Sequence, residues 1–215
     1  MKYMEKKNRI LIIIVFLCII LLISLALKNK AIGKDHIYSY AEGRAEAIAA
    51  FIEEEEALEN GEISEDDIEY IGEINGNKIS KKFFMVRYIS RVSSELNYES
   101  YKEDTWDSFK RDVLNKEYAI EHCIYPTNEE IVNAVESNKA EFEAMDESET
   151  FFESFLSGLG MTAEEYWNYN LKYEAPYGIL NGNVEEYIEE NKLEPLDYDS
   201  VESIIIDEEF YNSLQ

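Results

Sequence analysis

The only base and thiol close together in this 215-residue chain are His122 and Cys123. A nucleophile–base pair needs its two side chains facing each other, and neighbours on a helix point about 100° apart. The expectation is therefore a mostly buried cysteine at a helix end, not a catalytic pair. Three acidic groups, Glu53 to Glu56, Glu65 to Asp67 and Asp197-Tyr-Asp199, have the oxygen ligands that Ca²⁺ accepts. None sits in a twelve-residue loop with the central Gly and terminal Glu, so no metal site is expected. Neither a Gly-rich phosphate loop nor a Ser/His/Asp grouping is present, and no catalytic residue or cofactor is expected. Aromatic side chains remain: 15 Tyr, 9 Phe and 2 Trp lie beyond residue 27. Tyr166, Trp167, Tyr169 and Tyr173 recur at helical spacing, as a core stripe or as a contact face offering large area at small entropy cost. The chemistry these residues permit is non-covalent binding.

The first element is the run Ile10 to Leu27, 18 residues without a charge. At about 1.5 Å per residue it reaches roughly 27 Å, close to the hydrocarbon thickness of a bilayer. Lys2, Lys6, Lys7 and Arg9 precede it against a single Glu5. The positive-inside rule then keeps residues 1–9 in the cytoplasm and exports the chain beyond Leu27. The alternative is secretion after cleavage near Ala26, where Ser24-Leu25-Ala26 offers a small-x-small site.

Removing the four basic and one acidic residue of the N-terminal part leaves 188 residues with 16 Lys+Arg against 45 Asp+Glu, a net charge of −29. Phosphate backbones need a basic face, so nucleic acid is not an expected partner. Anionic lipid surfaces are disfavoured for the same reason. Cys18 falls within the apolar run and Cys123 stands alone beyond it, so no intrachain disulfide is expected.

Residues 28–69 are polar and Ala/Glu-rich, and read as an acidic helical or partly ordered stalk broken at Asn60-Gly61. Asn75-Gly76, flanked by Ile71, Ile74 and Ile79, predicts a type I′ hairpin. Start signals then recur. Ser80 can cap a helix from Lys81 to about Asn97; Thr127-Asn-Glu-Glu130 and Thr162-Ala-Glu-Glu165 are capping boxes. Ser64-Glu-Asp-Asp67 and Asn183-Val-Glu-Glu186 are weaker versions. The predicted helices run from near Thr105 to before Pro126, from Asn128 to Met145, from Glu149 to Ser157, from Ala163 to a kink or stop at Pro176, and from Val184 to about Lys192. Val201 to Ile206 could be a short strand.

The order of these pieces resembles the opening domain of the SurA/PrsA-type extracytoplasmic chaperones. The resemblance rests on Ile74-Asn-Gly-Asn-Lys-Ile-Ser80 with Phe83 three residues on, Thr105-Trp-Asp, the long helix to His122 and Pro126-Thr-Asn-Glu-Glu-Ile131. It continues through Phe151-Phe to Leu159-Gly-Met-Thr-Ala-Glu-Glu-Tyr166, and Val184-Glu-Glu-Tyr187-Ile-Glu-Glu-Asn191-Lys. It implies a mainly α fold, in which a single transmembrane helix precedes a multi-helix SurA N-terminal-like lobe over residues 70–195 with a short β-hairpin. Residues 196–215 form an acidic C-terminal segment. The implied function is a membrane-anchored, extracytoplasmic chaperone-like module that binds unfolded or partly folded polypeptide clients on apolar side chains. The candidate client-binding residues are Phe84, Tyr88, Trp106, Phe109, Tyr166, Trp167, Tyr169 and Tyr173.

Departures are also evident. Members of that family often carry a parvulin isomerase domain after the position of Asn191-Lys192, and only 23 residues lie beyond Lys192 here, so isomerase activity is not expected. Phe83 stands where a capping box would place an acidic residue, and Pro176-Tyr-Gly178 interrupts a helix that is usually continuous. The competing reading is a non-chaperone structural or regulatory membrane protein that binds one dedicated partner.

Overall fold

In the computed structural model, residues 34–94, 100–144 and 148–214 are described. The expected span over residues 10–27 lies outside them. Among the described residues, no helix is long and apolar enough to cross a membrane. The chain is mainly helical with one small sheet: α1 Lys34–Glu59, β1 Tyr70–Ile74, β2 Asn77–Ser80, α2 Lys81–Ser93, α3 Tyr101–Glu121, α4 Asn128–Glu143, α5 Ser148–Leu159, α6 Ala163–Tyr169, a π-helical segment Asn170–Glu174, α7 Ala175–Asn191, β3 Ser203–Ile205 and α8 Glu208–Ser213. These divide into a sheet unit (Tyr38–Leu114, Ser157–Gly160, Leu196–Gln215) and a helical unit built from Asn115–Leu156 and Met161–Pro195.

In the sheet unit the hairpin forms as its residues predict, with φ of 46° at Asn75 and 77° at Gly76. Ser80 Oγ then accepts the Phe83 N–H at 3.1 Å, converting strand into helix without a gap. β3 pairs antiparallel with the other side of β1, giving the order β2-β1-β3. One face of this sheet is apolar: Ile71 and Ile74 are wholly buried, and Phe84, Tyr88, Trp106 and Phe109 from α2 and α3 pack with them. Gly72 permits that closeness, because a Cβ there would meet the Ile204 carbonyl oxygen at 2.4 Å and Trp106 Cη2 at 2.6 Å.

Two expectations are corrected in this unit. Of the segment expected as a stalk, the described part, residues 34–69, packs into the fold. Ala41, Arg44, Ile48, Phe51 and Glu54 of α1 are buried at three- and four-residue spacing, and Phe51 stacks on Phe83 at 4.9 Å. The acidic C-terminal segment, described over residues 196–214, is likewise part of the fold. The Asn75 N–H donates to the Glu202 carbonyl at 2.9 Å, and Phe210, Tyr211 and Leu214 pack on the core. Lys81 holds this return by an ion pair to Asp207 at 2.6 Å and another to Glu69 at 3.0 Å.

The helical unit begins within α3. Pro126 ends the turn after that helix, and Thr127 and Glu130 close a capping box on α4: the Glu130 N–H donates to Thr127 Oγ1 at 3.2 Å, and the Thr127 N–H to Glu130 Oε2 at 2.8 Å. The α4 residues Ala134 and Val135 are buried, as are Leu180 and Val184 of α7. Asn115, 1% exposed, satisfies its side chain by donating to Asn181 Oδ1 at 2.7 Å.

Of the kink or stop expected at Pro176, the stop does not occur, nor does the restart at Asn183. The backbone stays helical from Ala163 to Asn191, widening over Asn170–Glu174, where the Ala175 N–H reaches back to the Asn170 carbonyl. Proline lacks an N–H and crowds the carbonyl four residues earlier, so a wider turn ahead of Pro176 relieves the clash without ending the helix. Asn183, spared from capping, donates to the Ile124 carbonyl at 3.1 Å.

Candidate polypeptide-binding surface

A turn at Gly160, with φ 69°, closes α5 as the Met161 N–H donates to the Leu156 carbonyl at 3.1 Å. Thr162 starts α6 immediately afterwards. Its Oγ1 accepts the Glu165 N–H at 3.2 Å, while Glu165 Oε2 accepts from the Thr162 N–H at 2.7 Å. Those backbone and hydroxyl donors hold the Glu165 carboxyl below its ordinary pKa, so the first turn of α6 stays negatively charged. Tyr166 and Trp167 come at once after it, which fixes their direction.

Both rings meet aromatic partners from neighbouring helices. Phe152 of α5 lies 5.5 Å from Tyr166 and 5.7 Å from Trp167, and Phe155 meets Tyr166 edge-on at 5.4 Å. Phe142 of α4 joins at 4.8 Å from Phe152, and Tyr166 and Trp167 themselves are 5.2 Å apart. All five side chains are half-buried. Centroid separations of this size suit edge-to-face and tilted packing, each pair adding about 0.5–1.5 kcal/mol beyond area burial. The cluster holds its own shape while leaving aromatic surface to solvent.

Beyond it, Tyr169 is 4% exposed and contacts Tyr173 at 5.5 Å, with Lys172 Nζ 4.9 Å from the Tyr173 ring centre. Tyr169 is therefore core, and Tyr173 is half-buried at the π segment. Of the candidate client-binding residues, Tyr166, Trp167 and Tyr173 thus offer surface. Phe84, Tyr88, Trp106 and Phe109 do not: they are 0%, 7%, 6% and 2% exposed and form the sheet-unit core. Helical periodicity marks one apolar face without saying which neighbour covers it, and for these four the sheet does. Phe142, Phe152 and Phe155, absent from the candidate set, belong to the cluster; the Phe151-Phe152 and Phe155 spacing on α5 was the available signal.

His122 and Cys123 do not combine. The His122 ring packs 4.2 Å from Tyr118 and 5.0 Å from Tyr187. Burial, then the neighbouring Tyr187 and Glu121, raises the Tyr118 hydroxyl above its usual pKa. Cys123 is exposed, contrary to the buried position expected, because it takes the left-handed conformation, φ 56°, just past the end of α3. Among the described residues, no group of three or more His, Cys, Asp or Glu side chains is placed to hold a metal ion.

No protein-family model, curated protein or solved structure matches the chain.

Proposed function

We propose that this chain is a membrane-anchored, chaperone-like module that binds unfolded or partly folded polypeptide through the aromatic cluster of its helical unit. In this reading residues 10–27 form the anchor, the N-terminus is cytoplasmic and the described residues are extracytoplasmic, a lobe of the SurA N-terminal type. The observation that supports it is the partly buried set Phe142, Phe152, Phe155, Tyr166 and Trp167, braced ring on ring and bordered by the ionised Glu165. Rigid aromatic side chains bury much area at low entropy cost and are enriched where binding energy concentrates. Binding needs no nucleotide or metal in this account.

The test is suppression of aggregation of a refolding client by the full chain in mild detergent. Suppression is expected at a few-fold molar excess, and its absence at ten-fold excess removes the proposal. Tyr166→Ala with Trp167→Ala should weaken suppression about tenfold, the size of a typical hot-spot loss. A thermal unfolding curve close to the parent's is expected alongside; collapse of the fold would assign both rings to the core.

A further inference from the structure

The outer edge of the sheet has a definable hydrogen-bonding state. Glu73 pairs with Ile204, and on either side the Asn75 N–H donates to the Glu202 carbonyl and the Ile206 N–H to the Ile71 carbonyl, both at 2.9 Å. In an antiparallel ladder the bonded and non-bonded pairs alternate. Glu202, Ile204 and Ile206 therefore turn their backbone groups toward β1. Ser203 and Ile205 turn theirs the other way, toward the edge, where among the described residues β3 ends the strand order. The side chains here are as unusual as the backbone: Ile204 on the strand is 61% exposed and Ile206, just past its end, 55%. Two isoleucines in one row beside an open ladder are what an added strand would cover.

The charge around this edge selects the occupant. From Leu193 to Gln215 there are seven acidic residues, Glu194, Asp197, Asp199, Glu202, Asp207, Glu208 and Glu209, and no Lys or Arg. Of these, Asp207 pairs with Lys81 of the same unit. Edge-to-edge pairing with a second copy would bring two such sets together, and like charges across strands are destabilising. We infer that the free edge of β3 accepts an extended polypeptide that alternates apolar and basic side chains, as a fourth strand. Main-chain bonds to Ser203 and Ile205 give the register, Ile204 and Ile206 take the apolar row, and the acidic surround attracts the basic one. The inference stands on β3 alone, apart from the aromatic surface, and either can fail without the other.

The experiment measures fluorescence anisotropy of a labelled heptapeptide alternating lysine and valine, titrated with the full chain in mild detergent. Saturable binding is expected. It should weaken at least tenfold when glutamate replaces the lysines, and at least tenfold when alternate backbone nitrogens are methylated. Ser203→Pro removes one edge-facing N–H without touching a bond to β1, and should lose binding to the same extent. Ile204→Ser with Ile206→Ser, both at exposed positions, is expected to do so too and keeps the test valid should the proline variant misfold. Equal affinity for the methylated peptide, or for the serine variant, would overturn strand addition. Dimerisation through this edge in place of peptide binding would overturn the choice of occupant.

Discussion

The partly buried Arg87 and the buried Asp112 form an ion pair between α2 and α3, and the same guanidinium lies 4.9 Å from the Phe83 ring centre and 4.4 Å from that of Phe109. Arg87 thus joins the two helices by charge and by ring contact at once. Its planar, weakly hydrated cation suits that position better than a lysine would. The pair also lies at the margin of the aromatic core that the sheet rests on.

Removing Asp112 leaves the partly buried Arg87 cation without its carboxylate. Asp112→Ala is expected to destabilise the fold by about 1–3 kcal/mol. Replacing both partners, Arg87→Met with Asp112→Leu, should recover most of that loss. Chemical denaturation followed by far-UV circular dichroism measures both; a single-variant loss below about 1 kcal/mol would show the pair to be solvated.

Gly72→Ala tests the close approach of β3 and Trp106 to β1. A methyl group there meets a backbone carbonyl oxygen, which cannot rotate away, so β3 must shift. Overpacking of this kind costs roughly 1–3 kcal/mol. Amide hydrogen exchange should speed up at the Ile206 N–H, which bonds to the Ile71 carbonyl. Unchanged exchange there would mean the strand accommodates the methyl without moving.

Alkaline pH should loosen the same unit. Burial, with the nearby Glu103 and Asp107 adding to it, pushes the Tyr211 hydroxyl up from 10.0 to about 12. Hydrogen bonds that its ammonium donates to Asp207 and Glu69 raise Lys81 above 10.5. Both groups keep their proton more tightly when folded, so their contribution is complete below the unfolded values and is lost as pH rises through the folded ones. Thermal midpoints should therefore fall between about pH 9 and about pH 11.5, and Tyr211→Phe should flatten the fall. An equal fall in that variant would assign the effect to Lys81 and the other titrating groups.

The elements that were legible in the residues are those set by local chemistry. The Asn75-Gly76 turn, the Ser80 cap, the boxes at Thr127 and Thr162 and the strand near Ile204 each depend on a few neighbours in sequence, and each is found. What escaped depends on distant partners. The buried face of α1 joins Ile48 and Phe51 to Ala41, Arg44 and Glu54, residue types that also make solvated helices, so its apolar signature is only a narrow stripe. Pro176 reads as a helix end, yet the packing of α7 and α4 keeps the helix whole by widening one turn. For the aromatic candidates, Phe84 and Trp167 look alike in sequence; only the neighbouring sheet decides that one is core and the other surface.

The central claim, that clients contact the aromatic cluster of the helical unit, is tested most directly by placing a photo-crosslinking amino acid at Trp167 in the full chain. The chain is irradiated with a permanently unfolded, cysteine-alkylated client, and Glu103, exposed in the sheet unit, carries the same group as a control. Client adducts from position 167 at several times the yield from position 103 are the predicted result. Equal yields, or none from 167 while the client still stays in solution, would contradict the account.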